Sequence, residues 1–423
     1  PGEPGDVSVL IALGNAVRGQ KKTKEALRIF EQALALNPEN PAALNAVALA
    51  RLDREDVAGA LEHARKATEL APDFIEAKTT LADALIANGA NDEAIELLKA
   101  VAAEKQDTPN ATMRVANSLA GMGRKKEAED WHRRALEIDS RFVPSLVNLA
   151  NLLKERGAHD EGILLYQRAI EASPRFAPAY NNLAVLLKDQ GRSVESLEMQ
   201  RKAVALQPEF TESASNLLLS LHYGDTMDPE EVWQAHRDFN DRFAAKLTRA
   251  APPNDNDPSP ERRLRVGYLS PDFRRHSVAF FIEPILEGHD RSQVEVFCYA
   301  SQGKSDAITD ILKKEADHWR DVGRLDDDEA AALIRKDRID VLVELAGHTA
   351  RNRLLVMARK PAPVQMTYLG YPDTTGLEAI DWRITDPVAD PPGQTEKWHS
   401  ERLLRLPTGF LCYRPLPDTP EPA

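Results

Sequence analysis

The amino-acid sequence predicts an α-solenoid built from repeated helix pairs, followed by an open α/β layer structure. Helix-breaking positions recur every 34 residues in the first half of the chain, at Pro38, Pro72, Gln106, Ser140, Pro174 and Pro208. After residue 261, short β-branched or apolar runs alternate with helical patterns. A polar, proline-rich segment at 251–260 separates the two patterns. A fixed repeat interval is typical of a solenoid, and strands alternating with helices are typical of a parallel sheet.

Small residues occupy the positions at which paired helices must cross. One such column contains Ala26, Ala60, Ala94, Ala128, Gly162 and Ser196. A helix pair joined by a tight turn needs small side chains at the crossing and a breaker at its end, so each unit is a helix–turn–helix. The columns resemble the tetratricopeptide repeat, whose aromatic position is kept at Phe30 and Tyr166 but lost at His132. We therefore predict a tetratricopeptide superhelix over residues 1–223.

The repeat pattern ends after the first helix of a seventh unit, near Tyr223. Pro229 stands where a helix can begin, and apolar residues at helical spacing extend to about Leu247, which suits a helix that caps the last repeat. The segment 251–260 has the composition of a surface linker. These boundaries predict a cap and linker over 224–260 and an α/β lobe over 261–423.

Composition excludes several classes of function. A formal net charge of −13 disfavours non-specific binding to nucleic acid or anionic membranes, because a polyanion gains nothing at an acidic surface. Only Cys298 and Cys412 are present, so we expect no disulfide framework and a reducing compartment. The sequence has no bilayer-length apolar run, no signal-peptide pattern and no metal-ligand spacing among its histidines and cysteines. We predict a cytoplasmic protein without a metal site, a nucleic-acid partner or a membrane partner.

The second half contains the periodic runs of an α/β structure. Candidate strands are residues 264–269, 294–299, 339–345, 364–369 and 382–385, and candidate helices are residues 278–287, 307–318, 327–336 and 353–359. Strands separated by helices of this length imply right-handed crossovers and a parallel sheet. Ligands bind outside the carboxyl ends of the strands in such sheets, so the loops after the strands are the candidate sites.

The loop at 270–277 has no glycine, which disfavours a dinucleotide-binding or phosphate-cradling loop. It contains Asp272, two arginines and His276. An imidazole at the end of a strand can exchange a proton near neutral pH, and Asp272 can orient the ring or raise its basicity. The alternative is a solvent-exposed loop whose charges neutralise one another.

Two further loops contain glycine next to polar residues. In the loop 346–353, Gly347 allows close approach of a ligand, and the polar residues beyond it can contact a sugar or phosphate. The alternative is that they cap a helix. In the loop 369–376, glycine and proline fix a rigid turn that can line a pocket, or that serves only as a turn.

Several segments together resemble the amino-terminal catalytic lobe of the O-linked N-acetylglucosamine transferases. They are residues 264–268, Asp272, Phe273, His276, 294–300, 359–365, 369–372 and 384–386. A tetratricopeptide array precedes the lobe in that family, and the short connection seen here is most similar to its bacterial members. The resemblance implies an inverting glycosyltransferase with two Rossmann-like lobes, the GT-B fold. Its reaction would transfer N-acetylglucosamine from UDP-GlcNAc to Ser or Thr hydroxyls of polypeptides.

The resemblance also implies roles for individual residues. His276 corresponds to the family's histidine beside the reaction centre, a base or an acceptor-orienting group, and Asp272 corresponds to its carboxylate neighbour. The residues implied in donor-sugar binding are Leu369, Gly370, Pro372, Thr349 and Arg351. Arg275 stands where animal members have asparagine, so acceptor contacts there are expected to differ.

The family's diphosphate-binding residues lie in a second lobe, and nothing after Ile384 matches them. We therefore expect this chain to carry half of the catalytic unit, with the C-terminal lobe missing. The family needs no metal. The resemblance thus implies no cofactor, only the nucleotide-sugar donor.

One column of the repeats contains Asn148, Asn182 and Asn216. A carboxamide can donate to and accept from one peptide group, so a row of them can hold an extended polypeptide by its backbone. The family uses such a ladder for its protein acceptors. The alternative is that asparagine merely tolerates an exposed helical position.

Two other functions remain open. The same fold could serve another sugar or acceptor, by O-fucosyl or N-linked glucosyl transfer, because donor choice depends on the second lobe. The chain could also be a non-catalytic tetratricopeptide scaffold whose repeats bind partners and whose α/β part has lost its activity.

Overall fold

A computed structural model describes residues 6–20, 22–103, 108–224, 228–259, 261–303 and 305–414. The predicted breaker Gln106 and the linker residue Pro260 lie outside these residues. The chain divides into two compact units, one ending at Leu186 and the other beginning at Leu187.

Helix pairs with constant spacing fill the first part of the chain. The first helices of the pairs are α1 (Val7–Gly19), α3 (Pro41–Leu52), α5 (Ile75–Ala87), α7 (Pro109–Gly121), α9 (Val143–Glu155), α11 (Ala177–Asp189) and α13 (Thr211–Leu221). The second helices are α2 (Thr23–Leu36), α4 (Val57–Leu70), α6 (Asn91–Ala103), α8 (Lys125–Ile138), α10 (His159–Ala172) and α12 (Ser193–Leu206). Val7 and Pro41, the starts of α1 and α3, lie 34 residues apart, and the later pairs keep this interval. The predicted solenoid of helix pairs is confirmed.

The residues predicted at the helix crossings are buried. Ala26, Ala60, Ala94 and Ala128 are all inaccessible to solvent. In the first pair, Phe30 occupies the aromatic position, and a Cβ added to Gly14 would lie 2.3 Å from its ring. Burial of these close-packed faces, more than helix propensity, stabilises each pair.

The last helices of the array belong to the same compact unit as the sheet. The second unit begins inside α11 and therefore contains α12 and α13. Leu218 and Leu221 of α13 join a core that also contains residues of the α/β lobe. The division at Leu187 consequently falls before the end of the superhelix predicted at residue 223.

A capping segment follows α13, as the sequence predicts. It consists of α14 (Pro229–Phe239), a π-helical turn (Asn240–Ala244) and α15 (Ala245–Ala250). Pro229 occupies the first helical position, and the Asp228 side chain caps the helix by accepting from the Glu230 N–H. Val232 and Phe239 pack in the core that Leu218 occupies.

The α/β lobe contains a seven-stranded sheet in which every neighbouring pair of strands is parallel. Its strands are β1 (Leu264–Ser270), β2 (Val294–Ala300), β3 (His318–Asp321), β4 (Val341–Glu344), β5 (Val364–Thr367), β6 (Trp382–Thr385) and β7 (Arg402–Arg405). Their order across the sheet is β3-β2-β1-β4-β5-β6-β7. The predicted parallel α/β structure is confirmed.

Both edges of the sheet differ from the prediction. The helix expected at 307–318 is shorter, because α17 (Ala307–Lys314) ends before a turn and His318 begins β3. Strand β7 lies in a segment for which no strand is predicted. Each edge strand has only four residues, and those of β3 are half-buried or exposed. Neither strand therefore produces the apolar run that reveals a buried strand.

Helices cover both faces of the sheet. On one face lie α16 (Ser277–Gly288) and α17, and on the other lie α18 (Asp327–Lys336) and α19 (Leu354–Ala358). Successive β2 side chains alternate between the two cores: Cys298 packs with Ile282 of α16, and Phe297 packs in the core that contains Ile334 of α18. Because both faces are buried, the carboxyl edge of the sheet is where a binding site can form.

His132 provides a test of packing in the array. It replaces the aromatic residue of its repeat, is 1% exposed, and its Nδ1 lies 3.2 Å from the Ser145 hydroxyl. Burial lowers the pKa of His132 to about 4. The ordinary value is roughly 6.5, so the unfolded chain binds a proton that the folded chain excludes between these pH values. Stability from this site is complete above pH 6.5 and falls as the pH decreases towards 4.

We expect His132→Phe, which restores the residue type found at Phe30, to remove this dependence. Urea denaturation at pH 7.5 and pH 5 should show that wild type loses roughly 2 kcal/mol more unfolding free energy than the variant. The other histidines titrate equally in both proteins and cancel in the difference. Equal losses in the two proteins would contradict the buried, neutral state of His132.

Candidate active site

A pocket of about 560 Å³ lies at the carboxyl ends of the central strands. The chain leaves β1 towards β2 on one side and returns to β4 on the other, which creates a crevice between β1 and β4. Loops after β1, β4 and β5 meet there. The lining residues are Asp272, Arg274, His276, Ser277, Val278, Phe281, Thr349, Ala350, Arg351, Leu369, Gly370 and Leu411.

Hydrogen bonds with residues that follow β2 hold the loop after β1 in place. The Phe273 carbonyl accepts hydrogen bonds from Gln302 Nε2 at 2.9 Å and from the Thr309 hydroxyl at 2.7 Å. The Arg275 N–H donates to the Asp306 carboxylate at 2.7 Å. These bonds fix the backbone on both sides of Arg274, which lines the pocket.

His276 is the N-cap residue of α16 and is about one-third exposed. Its Nδ1 accepts the Val278 N–H at 3.3 Å. In a neutral ring the proton is therefore assigned to Nε2, which makes that nitrogen a donor. Asp272 Oδ2 is 3.7 Å from His276 Nδ1, beyond hydrogen-bonding distance, and its other oxygen pairs with Arg274 at 3.2 Å. Asp272 thus neutralises Arg274 and lies beside the imidazole without bonding to it.

The loop after β4 is organised by a buried carboxylate. Glu344 accepts the Ala346 N–H at 3.0 Å, the Gly347 N–H at 2.8 Å and the hydroxyl of Thr367 on β5. Burial raises the pKa of its carboxyl group, although these bonds act in the opposite direction. The Thr349 hydroxyl donates to the Ala346 carbonyl at 2.8 Å. Glu344 thereby determines the path of the loop that brings Thr349 and the next two residues to the pocket.

The loop after β5 begins with a strained γ-turn. The Gly370 N–H donates to the Tyr368 carbonyl at 2.9 Å, and Leu369 between them has φ 75°. A γ-turn with a positive φ at its centre is rare, and a branched residue in this region costs on the order of 1–3 kcal/mol. Such strain persists only where the surroundings impose it, which marks Leu369 and Gly370 as functional candidates.

Two glycines allow the loops after β4 and β5 to approach closely. A Cβ on Gly370 would lie 2.0 Å from the Leu345 carbonyl oxygen, and a Cβ on Gly347 would lie 2.2 Å from the Tyr371 side chain. Gly347 also has φ 53°, which favours glycine. The Leu345 backbone therefore occupies the space that a side chain at position 370 would require, and the Tyr371 side chain occupies the space that a side chain at position 347 would require.

The structure brings most of the predicted site residues together. Asp272, His276, Thr349, Arg351, Leu369 and Gly370 all line the one pocket. Pro372 does not line it. Instead its carbonyl accepts from the Arg383 guanidinium at 2.9 Å, which fixes the end of the loop.

Sequence reasoning did not select Arg274, Phe281 and Leu411 as site residues. Arg274 lies in the singled-out loop. Phe281 lies one turn beyond Ser277 on α16, so helical periodicity provides a signal for it. Leu411 comes from the segment after β7, and only the folded structure reveals its position.

Asparagines that the sequence analysis did not select form hydrogen bonds with two residues of the predicted asparagine ladder. In the first compact unit, Asn148 Nδ2 donates to Asn117 Oδ1 at 3.0 Å, and Asn182 Nδ2 lies 3.4 Å from Asn151 Oδ1. Each partner belongs to the preceding repeat, 31 residues earlier. Asn216 is half-buried on α13 in the second unit. Each of the first two predicted residues is thus one half of an amide pair.

The pocket offers guanidinium, imidazole, hydroxyl and backbone groups next to apolar surface, which suits a polar ligand with a flat or ring-shaped part. The described residues contain no group of three or more His, Cys, Asp or Glu side chains placed to hold a metal ion. None of the helices in the described ranges has the length and apolar character of a membrane span.

A helical repeat array joined to a parallel sheet with a pocket at its switch point defines a repeat-bearing α/β protein with a ligand-binding crevice. The sequence profile of glycosyl transferase family 41 matches residues 248–413, and tetratricopeptide-repeat profiles match residues 11–73, 51–117 and 165–198. The family resemblance predicted from the sequence is confirmed, and the homologues are transferases named for UDP-N-acetylglucosamine and peptide substrates.

Curated relatives and a solved structure are similar to this chain and are also named as N-acetylglucosamine transferases. A probable UDP-N-acetylglucosamine–peptide N-acetylglucosaminyltransferase SPINDLY of Oryza sativa subsp. japonica is 47% identical over 205 residues, which are 48% of this chain and 22% of the relative. The SEC relative of Arabidopsis thaliana is 38% identical over 153 residues, 36% of this chain and 15% of the relative. A mutant O-GlcNAc transferase of Thermobaculum terrenum superposes with a TM-score of 0.68 and 36% identity, covering 73% of this chain and 59% of that one. The chain therefore matches only a minor part of the curated relatives.

Gly370→Ala tests the close approach of the two loops. The added methyl group would collide with a backbone oxygen that cannot rotate away, so we expect the free energy of unfolding to fall by about 1–3 kcal/mol. Gly288→Ala is the control, because a Cβ at Gly288 in the same lobe meets no atom within 4 Å. Chemical denaturation of both variants measures the effect. An unfolding free energy for Gly370→Ala equal to that of the control would contradict the described packing.

Proposed function

We propose that the protein is part of an inverting protein O-glycosyltransferase that moves N-acetylglucosamine from UDP-GlcNAc to Ser or Thr hydroxyls. One observation carries the proposal: a segment matching glycosyl transferase family 41 gathers His276, Thr349 and the Leu369–Gly370 turn around a single pocket. The names of the homologues specify this donor and a peptide acceptor.

In the proposed reaction the acceptor oxygen bonds to the anomeric carbon while the bond from that carbon to the diphosphate breaks. The electron pair leaves with UDP, and the hydroxyl proton passes to a base. Catalysis requires an acceptor held in line with the carbon and stabilisation of the leaving diphosphate.

We assign His276 the orienting role of the two that the resemblance implies. With Nδ1 occupied by the Val278 N–H, Nε2 carries the proton and can donate to an oxygen in the pocket. Removal of the acceptor proton by the same ring would require Nε2 to lose its hydrogen first. The geometry therefore favours an imidazole that positions an oxygen over one that acts as a base.

We assign the donor sugar to the wall formed by Leu369, Gly370, Thr349 and Arg351. The rigid γ-turn presents backbone rather than mobile side chains to the ligand, which reduces the entropy lost on binding. We assign the diphosphate contacts to the second lobe that the family resemblance implies.

We propose that the repeats bind the acceptor polypeptide through Asn148, Asn182 and Asn216. The donation from Asn148 to Asn117 uses one of its two N–H groups, so the amide pair retains capacity for a peptide backbone. A cytoplasmic location and independence of metal ions stay predictions from the sequence.

Substitution of His276 in the enzyme containing both lobes tests the function and its role together. We expect His276→Ala to lower sugar transfer at least about 100-fold, and His276→Gln, which retains an N–H donor, to keep about 10-fold more activity than the alanine variant. His318→Ala is the matched control, because His318 on the edge strand β3 has a similar exposure and lies beside the carboxylate of Glu295 on β2.

Separate incubations with UDP-GlcNAc, UDP-glucose and GDP-fucose, followed by mass measurement of the acceptor, identify the donor. If only another sugar is transferred to the acceptor, its nucleotide carrier replaces UDP-GlcNAc as the proposed donor. The scaffold alternative would gain support from peptide binding without any transfer by the wild type.

Unchanged turnover in His276→Ala would remove the role assigned to the imidazole.

Metal removal is a further test. We expect transfer to continue at an unchanged rate after dialysis against EDTA, because protein groups and not a cation are assigned to the diphosphate. Loss of activity that is restored by Mg²⁺ or Mn²⁺ would contradict the assignment. The same dialysis with UDP-GlcNAc present controls for slow inactivation.

A further inference from the structure

A cluster of aromatic and imidazole side chains connects the last repeat helix and the cap to the loops of the pocket. His222 follows α13, and His236 lies on α14, whereas His348 and Tyr371 lie in the loops after β4 and β5. His236 and His348 are inaccessible to solvent, and Tyr371 is 3% exposed. The ring centroids of His348 and Tyr371 are 5.3 Å apart, and those of His236 and His348 are also 5.3 Å apart.

The hydrogen bonds of this cluster form a directed chain. His236 Nδ1 lies 2.7 Å from the Val232 carbonyl, which can only accept, so Nδ1 carries the ring proton. His236 Nε2 therefore accepts from the Tyr371 hydroxyl at 2.9 Å. The Tyr371 oxygen in turn accepts from His222 Nε2 at 3.0 Å. Each hydrogen bond in this series therefore has one assigned direction.

A second chain connects α13 to the loop after β4. His348 Nε2 donates to the Thr375 carbonyl at 2.8 Å, so its Nδ1 accepts from the Ser215 hydroxyl at 3.1 Å. The Ser215 oxygen also lies 3.3 Å from Asn352 Nδ2, which can donate to it. His348 and Asn352 flank residues 349–351, which form one wall of the pocket. One serine of the array thus holds both ends of that wall.

The surroundings keep the cluster neutral. Burial lowers the pKa of His222 and His236 and lowers that of His348 well below its ordinary value, whereas burial raises the pKa of Tyr371. Charged groups that act on the cluster are Asp373, Arg383 and Glu401. Both hydrogen-bond chains are therefore complete at neutral pH.

We propose that Ser215, His348, His236 and Tyr371 are positioning residues through which the last repeat helix and the cap set the geometry of the pocket. This inference rests on the proposed transferase function. None of these side chains lines the pocket. His348 acts through its sequence neighbour Thr349, and Tyr371 acts through Gly370. Ser215 acts through its hydrogen bond to His348, and His236 acts through its hydrogen bond to Tyr371. The array then has a second role besides acceptor binding, because α13 and α14 hold the donor-sugar loops in their active arrangement.

Matched pairs of variants in the enzyme with both lobes test the proposal. Tyr371→Phe removes only the hydroxyl, and its control Tyr268→Phe breaks a partly buried bond from tyrosine to histidine, to His289 at 2.7 Å. Ser215→Ala is matched by Ser213→Ala, which removes a buried hydroxyl of α13 that bonds to Gln200 instead of to the loops. Each control therefore loses a hydrogen bond of the same side-chain hydroxyl that does not reach the loops of the pocket.

We expect Tyr371→Phe and Ser215→Ala to lower kcat at least about 10-fold relative to their controls, while melting temperatures within each pair agree. Hydrogen–deuterium exchange should become faster in residues 346–352 and 368–372 of these two variants only. The exchange measurement needs no substrate, so it tests the positioning role separately from the activity.

The outcomes separate the two proposals. Wild type without sugar transfer would refute the proposed function, and the exchange measurement would then decide the coupling alone. Active wild type, with kcat and loop exchange in Tyr371→Phe and Ser215→Ala equal to those of the controls, would overturn the positioning role. Faster exchange with reduced kcat would support it.

Discussion

The order of the parallel strands places the carboxyl ends of β1, β4 and β5 side by side, and every functional feature of the lobe depends on this arrangement. His276, Thr349 and Gly370 follow different strands, yet they line one pocket because the chain leaves the centre of the sheet in opposite directions from β1 and β4. Helices bury both faces of the sheet, so the crevice at this edge is the natural place for a ligand.

Strain in the pocket is balanced by bonds around it. Leu369 has a positive φ at the centre of a γ-turn, and a conformation of this kind costs on the order of 1–3 kcal/mol. The turn is held because Gly370 packs against the Leu345 carbonyl and because the Tyr371 hydroxyl bonds to His236. Buried Glu344 supports the facing loop through two backbone N–H groups. A site fixed in this way loses little entropy when a substrate binds.

The architecture was predictable because its signals are long and periodic. The 34-residue interval defines the helix pairs, and β1, β2, β4, β5 and β6 lie in apolar runs. Asp272, His276 and Gly370 could be chosen because residues that follow parallel strands must meet at one edge. Edge strand β3 was missed because its four residues are partly exposed. The bond between Ser215 and His348 joins residues 133 positions apart and depends on how α13 packs, which no local pattern encodes.

The most direct measurement of the central claim is hydrogen–deuterium exchange of the protein with both lobes, with and without UDP-GlcNAc. If the crevice between β1 and β4 holds the donor sugar, exchange will slow in the segments 272–278, 349–351 and 369–370, which contain residues that line the pocket. Binding of the donor at saturating concentration without slower exchange in these three loops would contradict the account.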